Sequence, residues 1–141
     1  MMTTVDLKKL ELTEFIAKEN PGQRCRATFP LLGAMGTRDT ATVYFELDPG
    51  EELGSHTARA EEILLILEGE VEATVGEETG QASAGSLVLV PKMEPHNVRN
   101  IGSSKVKVLG FFGGANNITA TFEHQWWPLN ARRLNTADMP G

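Results

Sequence analysis

The chain has a single cysteine, Cys25, among its 141 residues, so it forms no internal disulfide and does not indicate an oxidising compartment. We interpret this thiol as a small buried side chain rather than as a nucleophile. Long apolar runs are also missing, since none approaches the roughly 20 residues that a membrane-spanning helix needs. No apolar segment follows a basic N-terminal region, so we expect no secretory signal and a cytoplasmic location.

Basic residues are in the minority. The chain contains 13 Lys and Arg against 19 Asp and Glu, which gives a formal net charge of -6. Proteins that bind nucleic acid need a basic face to neutralise phosphates, and anionic membranes attract basic segments. We therefore expect neither nucleic acid nor a membrane as a partner. The length and the 40% hydrophobic content are those of a single globular domain.

Helical periodicity is scarce, whereas short apolar runs recur at intervals of roughly ten residues with glycine or proline between them. This pattern predicts an all-β sandwich or barrel. The predicted strands cover residues 41–47, 62–68, 70–75, 86–91, 105–112 and 118–126. Residues 6–20 suit a helix and an edge strand equally well. The polar residues 130–141 are expected to be mobile or to lie over the surface.

Candidate metal ligands occur in two separate stretches. The first, GSHTARAEE, holds His56 and the adjacent acids Glu61 and Glu62, and the second, PKMEPHNVRN, holds His96. Alternate residues of a strand share a face, so a histidine and a carboxylate beyond a bend can approach one ion, and a distant strand can supply another histidine. Each neutral imidazole or carboxylate offers one lone pair at about 2 Å. Taken singly, such a histidine is more often a structural residue than a ligand, and Glu62 could be a solvated acid at the start of a strand.

The spacing of these residues resembles the two conserved motifs of the cupin superfamily. The first motif is matched, with alanine at its second histidine position, by Gly50, His56, Ala58, Glu62 and Gly69. The second is matched, with methionine where glycine is usual, by Gly85, Pro91, Met93, His96 and Asn100. The paired motifs are more specific for fold than for activity.

This resemblance implies an all-β, double-stranded β-helix, the jelly-roll barrel of a small single-domain cupin. Within one domain, it predicts an N-terminal arm with the first strands over residues 1–40, the barrel over 41–125 and a C-terminal tail over 126–141. It also implies a divalent metal ion, either Fe, Mn, Ni or Zn, held inside the barrel by His56, Glu62 and His96. Glu61 has the wrong register, and we interpret it as a solvated acid.

Ala58 has no lone pair, so only two imidazoles and one carboxylate remain. This is the 2-His-1-carboxylate set, which leaves coordination positions open. We expect weaker metal binding and a more open metal face. Three hypotheses follow: a metal-dependent enzyme acting on a small oxygenated molecule by dioxygenase-like oxidation or isomerase/lyase chemistry, a non-catalytic metal- or ligand-binding or sensing cupin, and a scaffold with a decayed site.

Several further side chains are candidates for lining a pocket for the small-molecule ligand, and the more common alternative for each apolar one is an ordinary core position. The apolar candidates are Ala58, Phe45, Met93 and Phe111, with Phe112 as the alternative to Phe111. His124 would reach the pocket if its face of the strand turned inward, and a surface or interface position is the alternative.

The adjacent pair Trp126 and Trp127 bears on oligomeric state. Large aromatic residues are enriched at interfaces, and cupins commonly dimerise. We therefore predict a homodimer in which terminal segments cover a sheet edge, with docking of the tail onto its own barrel as the alternative.

Overall fold

The computed structural model describes residues 2–139, in which twelve strands join one antiparallel sheet. Short 3₁₀ turns at Leu7–Lys9, Gly33–Met35 and Thr136–Asp138 are the only helical segments in that range. Strands account for 53% of the residues, which confirms the all-β prediction. The strands are Thr13–Ala17 (β1), Arg24–Thr28 (β2), Thr40–Leu47 (β3), His56–Ala58 (β4), Glu62–Glu68 (β5), Glu70–Val75 (β6), Glu78–Ser83 (β7), Leu87–Val90 (β8), His96–Asn100 (β9), Val106–Gly113 (β10), Thr119–Trp127 (β11) and Ala131–Asn135 (β12).

The sheet curves into a barrel that is nearly closed. Its strand order is β7-β6-β9-β4-β11-β1-β2-β3-β10-β5-β8, and β12 pairs with β11. The two ends of this order, β7 and β8, therefore flank an open seam. Strands from residues 13–28 and 131–135 belong to the same sheet as the central strands.

Alternation along the strands decides which side chains enter the barrel. In β5, Glu62, Leu64 and Ile66 are buried, while the residues between them face outward. In β10, the buried positions are Val106, Val108, Gly110 and Phe112. Complete burial of one such aliphatic side chain contributes roughly 1.5–3 kcal/mol. The same alternation that builds the core also carries the carboxyl group of Glu62 into the interior.

Both ends of the described chain contribute a strand to the sheet. Residues 6–20 form a 3₁₀ turn and then β1, which lies between β11 and β2 rather than at an edge. The prediction of a mobile or surface-laid tail is wrong for residues 131–139, because β12 pairs with β11 and buries Leu134 and Thr136. Backbone pairing, which polar composition does not reveal, holds this segment in the sheet. Residues 140 and 141 lie outside the described range.

Within residues 2–139, no helix has the length and apolar content needed to cross a membrane.

Candidate metal centre

Three strands bring the predicted metal ligands together inside the barrel. His56 on β4 lies directly opposite His96 on β9, and their ring centroids are 4.0 Å apart. His96 Nε2 lies 3.4 Å from Glu62 Oε1 at the start of β5. All three side chains are buried. Residues that are 40 positions apart in sequence thus share one small region of the interior.

The Nδ1 atom of each histidine is held by a backbone carbonyl group. His56 Nδ1 lies 2.9 Å from the Gly54 carbonyl oxygen, and His96 Nδ1 lies 2.9 Å from that of Glu94. Because a carbonyl oxygen only accepts, Nδ1 must carry the hydrogen in both rings, and Nε2 keeps a free lone pair. His96 Nε2 is buried and has no hydrogen-bond partner among residues 2–139. This is the arrangement that metal-binding histidines adopt.

The electrostatics of the pocket favour neutral groups while no cation is bound. Burial, reinforced by repulsion from His96, lowers the pKa of His56 to about 3, against a smaller opposing effect of the hydrogen bond to Gly54. Burial also raises the pKa of Glu62, although interaction with His96 acts the other way. A divalent cation would reverse the preference of Glu62, because a carboxylate that binds metal must be deprotonated.

Gly110 makes room for the Glu62 carboxylate. This residue faces inward on β10, between Val43 on β3 and Leu64 on β5. A Cβ atom there would lie 2.5 Å from Glu62 Oε2 and 2.8 Å from Val43 Cγ1. Real Cβ contacts are essentially never that short, so any side chain at position 110 would displace the carboxylate. The sequence reasoning missed this residue, since the signal is a glycine inside an alternating strand.

Gly54 was also missed. Its φ of +77° is readily adopted only by glycine, and a Cβ atom there would lie 2.5 Å from the Gln23 amide carbon. Its N–H donates to Asn97 Oδ1 at 2.9 Å, while its carbonyl accepts from His56. Asn97 therefore fixes the turn that orients the first histidine, and it directly follows the second.

The three groups face a chamber of about 60 Å³ in the barrel interior. That volume holds about four waters, or an ion with a few ligand atoms. Ala58 and Phe45 line it, as does Phe122, whose ring stacks on His56 at 4.7 Å. The remaining walls are Val43, Leu53, Leu64, Val98, Phe112, Ile118, Ala120 and Leu134. Ala58 lies on the same buried face of β4 as His56 and presents only a methyl group to the chamber.

Three predicted pocket residues lie elsewhere. Phe111 is 39% exposed on the outer face of β10, and the inward neighbour Phe112 lines the chamber instead. Met93 is 50% exposed in the turn after β8, where its N–H donates to the Ala58 carbonyl. His124 is half-buried on β11 and does not line the chamber, and its Nδ1 lies 3.5 Å from a Glu19 carboxylate oxygen.

The side chains suit a metal ion by their chemistry, but their positions do not form a coordination site. Across residues 2–139, no three His, Cys, Asp or Glu side chains are placed to hold an ion as they stand. The two imidazole rings pack against each other at an interplanar angle of 49°. The anchored Nδ1 atoms, the free His96 Nε2 and the space beside Gly110 all suit a divalent cation. Metal binding by these three residues stays a prediction.

A nearly closed antiparallel sheet with two buried histidines and a buried glutamate inside it defines a β-barrel protein with a polar cluster in its interior. The family model described as "Cupin domain" matches residues 43–112, about half of the chain. The chain belongs to the cupin superfamily, as the paired motifs predict. No curated protein matches the sequence.

Solved structures share the fold at low sequence identity. A proposed sugar phosphate isomerase from Acidithiobacillus ferrooxidans is 18% identical, with a TM-score of 0.64 over 100% of this chain and 95% of that one. A predicted oxalate decarboxylase from Thermotoga maritima is 21% identical, with a TM-score of 0.69 over 79% and 98%. A recombinant oxalate oxidase in complex with glycolate is 21% identical, with a TM-score of 0.65 over 73% and 56%. The chain thus spans just over half of the oxidase, and the neighbours confirm the jelly-roll fold.

Proposed function

We propose that this protein is a metal-dependent enzyme acting on a small oxygenated organic molecule. His56, Glu62 and His96 would hold the divalent ion, either Fe, Mn, Ni or Zn. The observation that carries this proposal is the pair of buried imidazoles with Nδ1 anchored to carbonyls, beside a buried carboxyl group. When bound, such a metal polarises a substrate oxygen or supports oxidation by O2.

The chain itself would position the substrate and exclude water. Ala58 leaves one side of the site without a protein donor, so an oxygen atom of the substrate can occupy that side. Phe112, Ile118 and Ala120 form an apolar wall there, and a dry environment strengthens electrostatic interactions with the substrate. The structural neighbours carry the names of an isomerase, a decarboxylase and an oxidase. Both isomerase/lyase and oxidative chemistry therefore stay within the proposal.

A non-catalytic metal- or ligand-binding cupin is the second candidate. Ala58 supports it, because losing the fourth ligand weakens metal binding, and so does the small volume of the chamber. In this case the protein would bind a ligand reversibly and leave it unchanged.

Metal analysis separates these hypotheses from a decayed scaffold. Protein purified without chelators is analysed for bound metal, alongside His96→Ala and a matched His124→Ala control at the remaining histidine. After loading with Fe(II) or Ni(II), we expect near-stoichiometric metal in the wild type and the control, with at least a tenfold loss in His96→Ala. No metal in any of them after loading with Fe(II) or Ni(II) would refute the metal site.

Turnover then distinguishes the two functions. The loaded protein is incubated with a panel of small aliphatic acids and ketones while O2 uptake and product formation are followed. A product that the wild type forms and His96→Ala does not would support the enzyme hypothesis. Bound metal with no turnover across the panel supports the binding protein.

The predicted homodimer also stays a proposal, but a different surface of the protein now supports it. Trp126 is buried inside the barrel and is not available to a partner. The outer face of β8, β5 and β10 instead presents two rows of paired apolar side chains. We call it the apolar outer face, and its residues are Ile63, Leu65, Leu87, Leu89, Leu109 and Phe111.

We propose that a second copy of this chain covers the apolar outer face, since exposed apolar patches bordering a sheet edge favour association. Sedimentation velocity at micromolar concentration should show a dimer, and Leu89→Lys should yield a monomer. Thr121→Lys, on an exposed position of β11, is the matched control and should remain dimeric. A monomeric wild type would refute the proposal.

A further inference from the structure

The barrel holds a second interior cavity next to the candidate metal centre. It measures about 70 Å³, and we call it the apolar chamber. Ala27, Cys25 and Trp126 line it without lining the metal chamber, whereas Phe45, Leu53 and Phe122 line both. The Phe122 ring lies 4.7 Å from the His56 ring and 5.3 Å from the Trp126 ring. One layer of side chains therefore separates the two spaces.

The chemistry of the apolar chamber differs from that of the metal chamber. Burial raises the pKa of the Cys25 thiol to about 12, so this side chain is neutral and inert. The Trp126 indole N–H is buried and has no hydrogen-bond partner in the part of the chain that the structure describes. In that same part, no lysine or arginine lines either space. Apolar cavities of this kind stay free of water and bind apolar molecules.

Charge and size restrict which single ligand can occupy both chambers. If the ligand carried one carboxylate at the metal centre and a second at its other end, the second would be buried in the apolar chamber without a cation. Such burial is strongly unfavourable. The cavity is smaller than the roughly 150 Å³ that holds benzene, so a phenyl group is too large. A short aliphatic chain meets both limits.

We propose that the apolar chamber binds the hydrocarbon tail of a short aliphatic monocarboxylate or related ketone, whose oxygen atoms lie beside His56, Glu62 and His96. The position of the head rests on the proposed function, whereas the tail site rests on the cavity alone. Phe45 and Phe122, which line both spaces, would have to move apart to let the chain pass from head to tail. Small diacids such as oxalate fit the metal chamber but cannot use the apolar chamber.

A homologous series tests the tail site. Calorimetry on metal-loaded protein measures binding of acetate, propanoate, butanoate and pentanoate. Each methylene should tighten binding about three- to fourfold until the chamber is full, from the usual value of about 0.8 kcal/mol per buried methylene. Oxalate should show no corresponding gain over acetate. Equal affinity for all the monocarboxylates would overturn the proposal.

A filled chamber provides the decisive comparison. Ala27→Leu adds bulk to the apolar chamber from the buried face of β2 and leaves the metal chamber walls intact. Metal content and acetate binding should be unchanged, while the gain with chain length disappears. Ala137→Leu, at an exposed position, is the matched control and should keep the gain. Cys25→Ile fills the same chamber if Ala27→Leu folds poorly, and a gain that persists in a folded filled variant overturns the proposal.

Metal-free protein separates failure of the tail site from failure of the metal centre. Binding of ethanol, propanol and butanol is followed by the indole N–H resonance of Trp126, assigned with Trp127→Phe. The resonance should shift increasingly with chain length in the wild type and not in Ala27→Leu. If this result holds but no metal binds, the tail site survives and the proposed function fails. Identical titrations in the two proteins overturn the tail site.

Discussion

Replacing Gly110 with alanine should damage the candidate metal centre through space alone. The new Cβ atom would lie 2.5 Å from Glu62 Oε2 and 2.8 Å from Val43 Cγ1. Relieving two such contacts in a packed interior costs about 1–3 kcal/mol. For a chain of this size we expect the melting temperature to fall by about 3–10 °C. The flexible Glu62 side chain should move more readily than the strand, so its carboxylate is displaced.

Gly113→Ala is the matched control, because it lies on the same strand and a Cβ atom there meets nothing within 4 Å. Its unfolding free energy should stay within about 0.5 kcal/mol of the wild type. Thermal unfolding of metal-free protein measures the strain. Titration with Ni(II) or Zn(II) measures the metal site, where Gly110→Ala should bind at least tenfold more weakly.

A double-mutant cycle identifies the group that is displaced. In a Glu62→Ala background, the destabilisation by Gly110→Ala should shrink to the part that Val43 contributes. The reasoning is refuted if Gly110→Ala matches Gly113→Ala in both stability and metal affinity. An unchanged cost in the Glu62→Ala background would show that the carboxylate is not what fills this space.

Three further predictions concern single residues. Ala58→His should raise metal affinity at least tenfold by supplying a fourth donor, measured by competition with a chelator, while weakening binding of carboxylates in the smaller chamber. Burial holds the pKa of Cys25 at about 12 against 9.0 for an ordinary thiol, so the thiol contributes stability below pH 9 that is lost as the pH rises from 9 towards 12. Urea unfolding should show a loss of about 4 kcal/mol that is absent in Cys25→Ala. The pKa of His56 is lowered from 6.5 to about 3, so its contribution is present above pH 6.5 and lost on acidification to pH 3. Metal-free protein should lose about 4 kcal/mol more over that interval than His56→Gln, and equal slopes would contradict the burial of a neutral imidazole.

Strand prediction succeeded where the side chains carry a clear pattern and failed where the backbone alone decides. The predicted bounds of β5 and β6 coincide with the observed ones, because β5 is a dense apolar run of strand length and β6 alternates acidic with apolar or small residues. The polar strand β7 was missed, since it pairs through its backbone with β6. The three-residue β4 was missed as well, although the i, i+2 argument placed His56 and Ala58 on one face.

The sequence predicted which candidate ligands meet inside the barrel, but not the residues that support them. His56, Glu62 and His96 came from motif spacing, and metal binding by them stays a prediction. Gly110 and the carbonyl of Gly54 act through distances between strands, which one sequence does not show. The choice between Phe111 and Phe112 turned on one position of register, and that single step reverses the face of a strand.

The open seam between β7 and β8 has a consequence for the handling of this protein. A barrel that does not close leaves strand edges able to template other chains, and β8 is the short hydrophobic run Leu87–Val90. Its shortness and the proline that follows it, Pro91, are devices that natural sheets use against fibril-like stacking. Variants that lengthen β8 or remove Pro91 should aggregate during expression even when the barrel interior is intact.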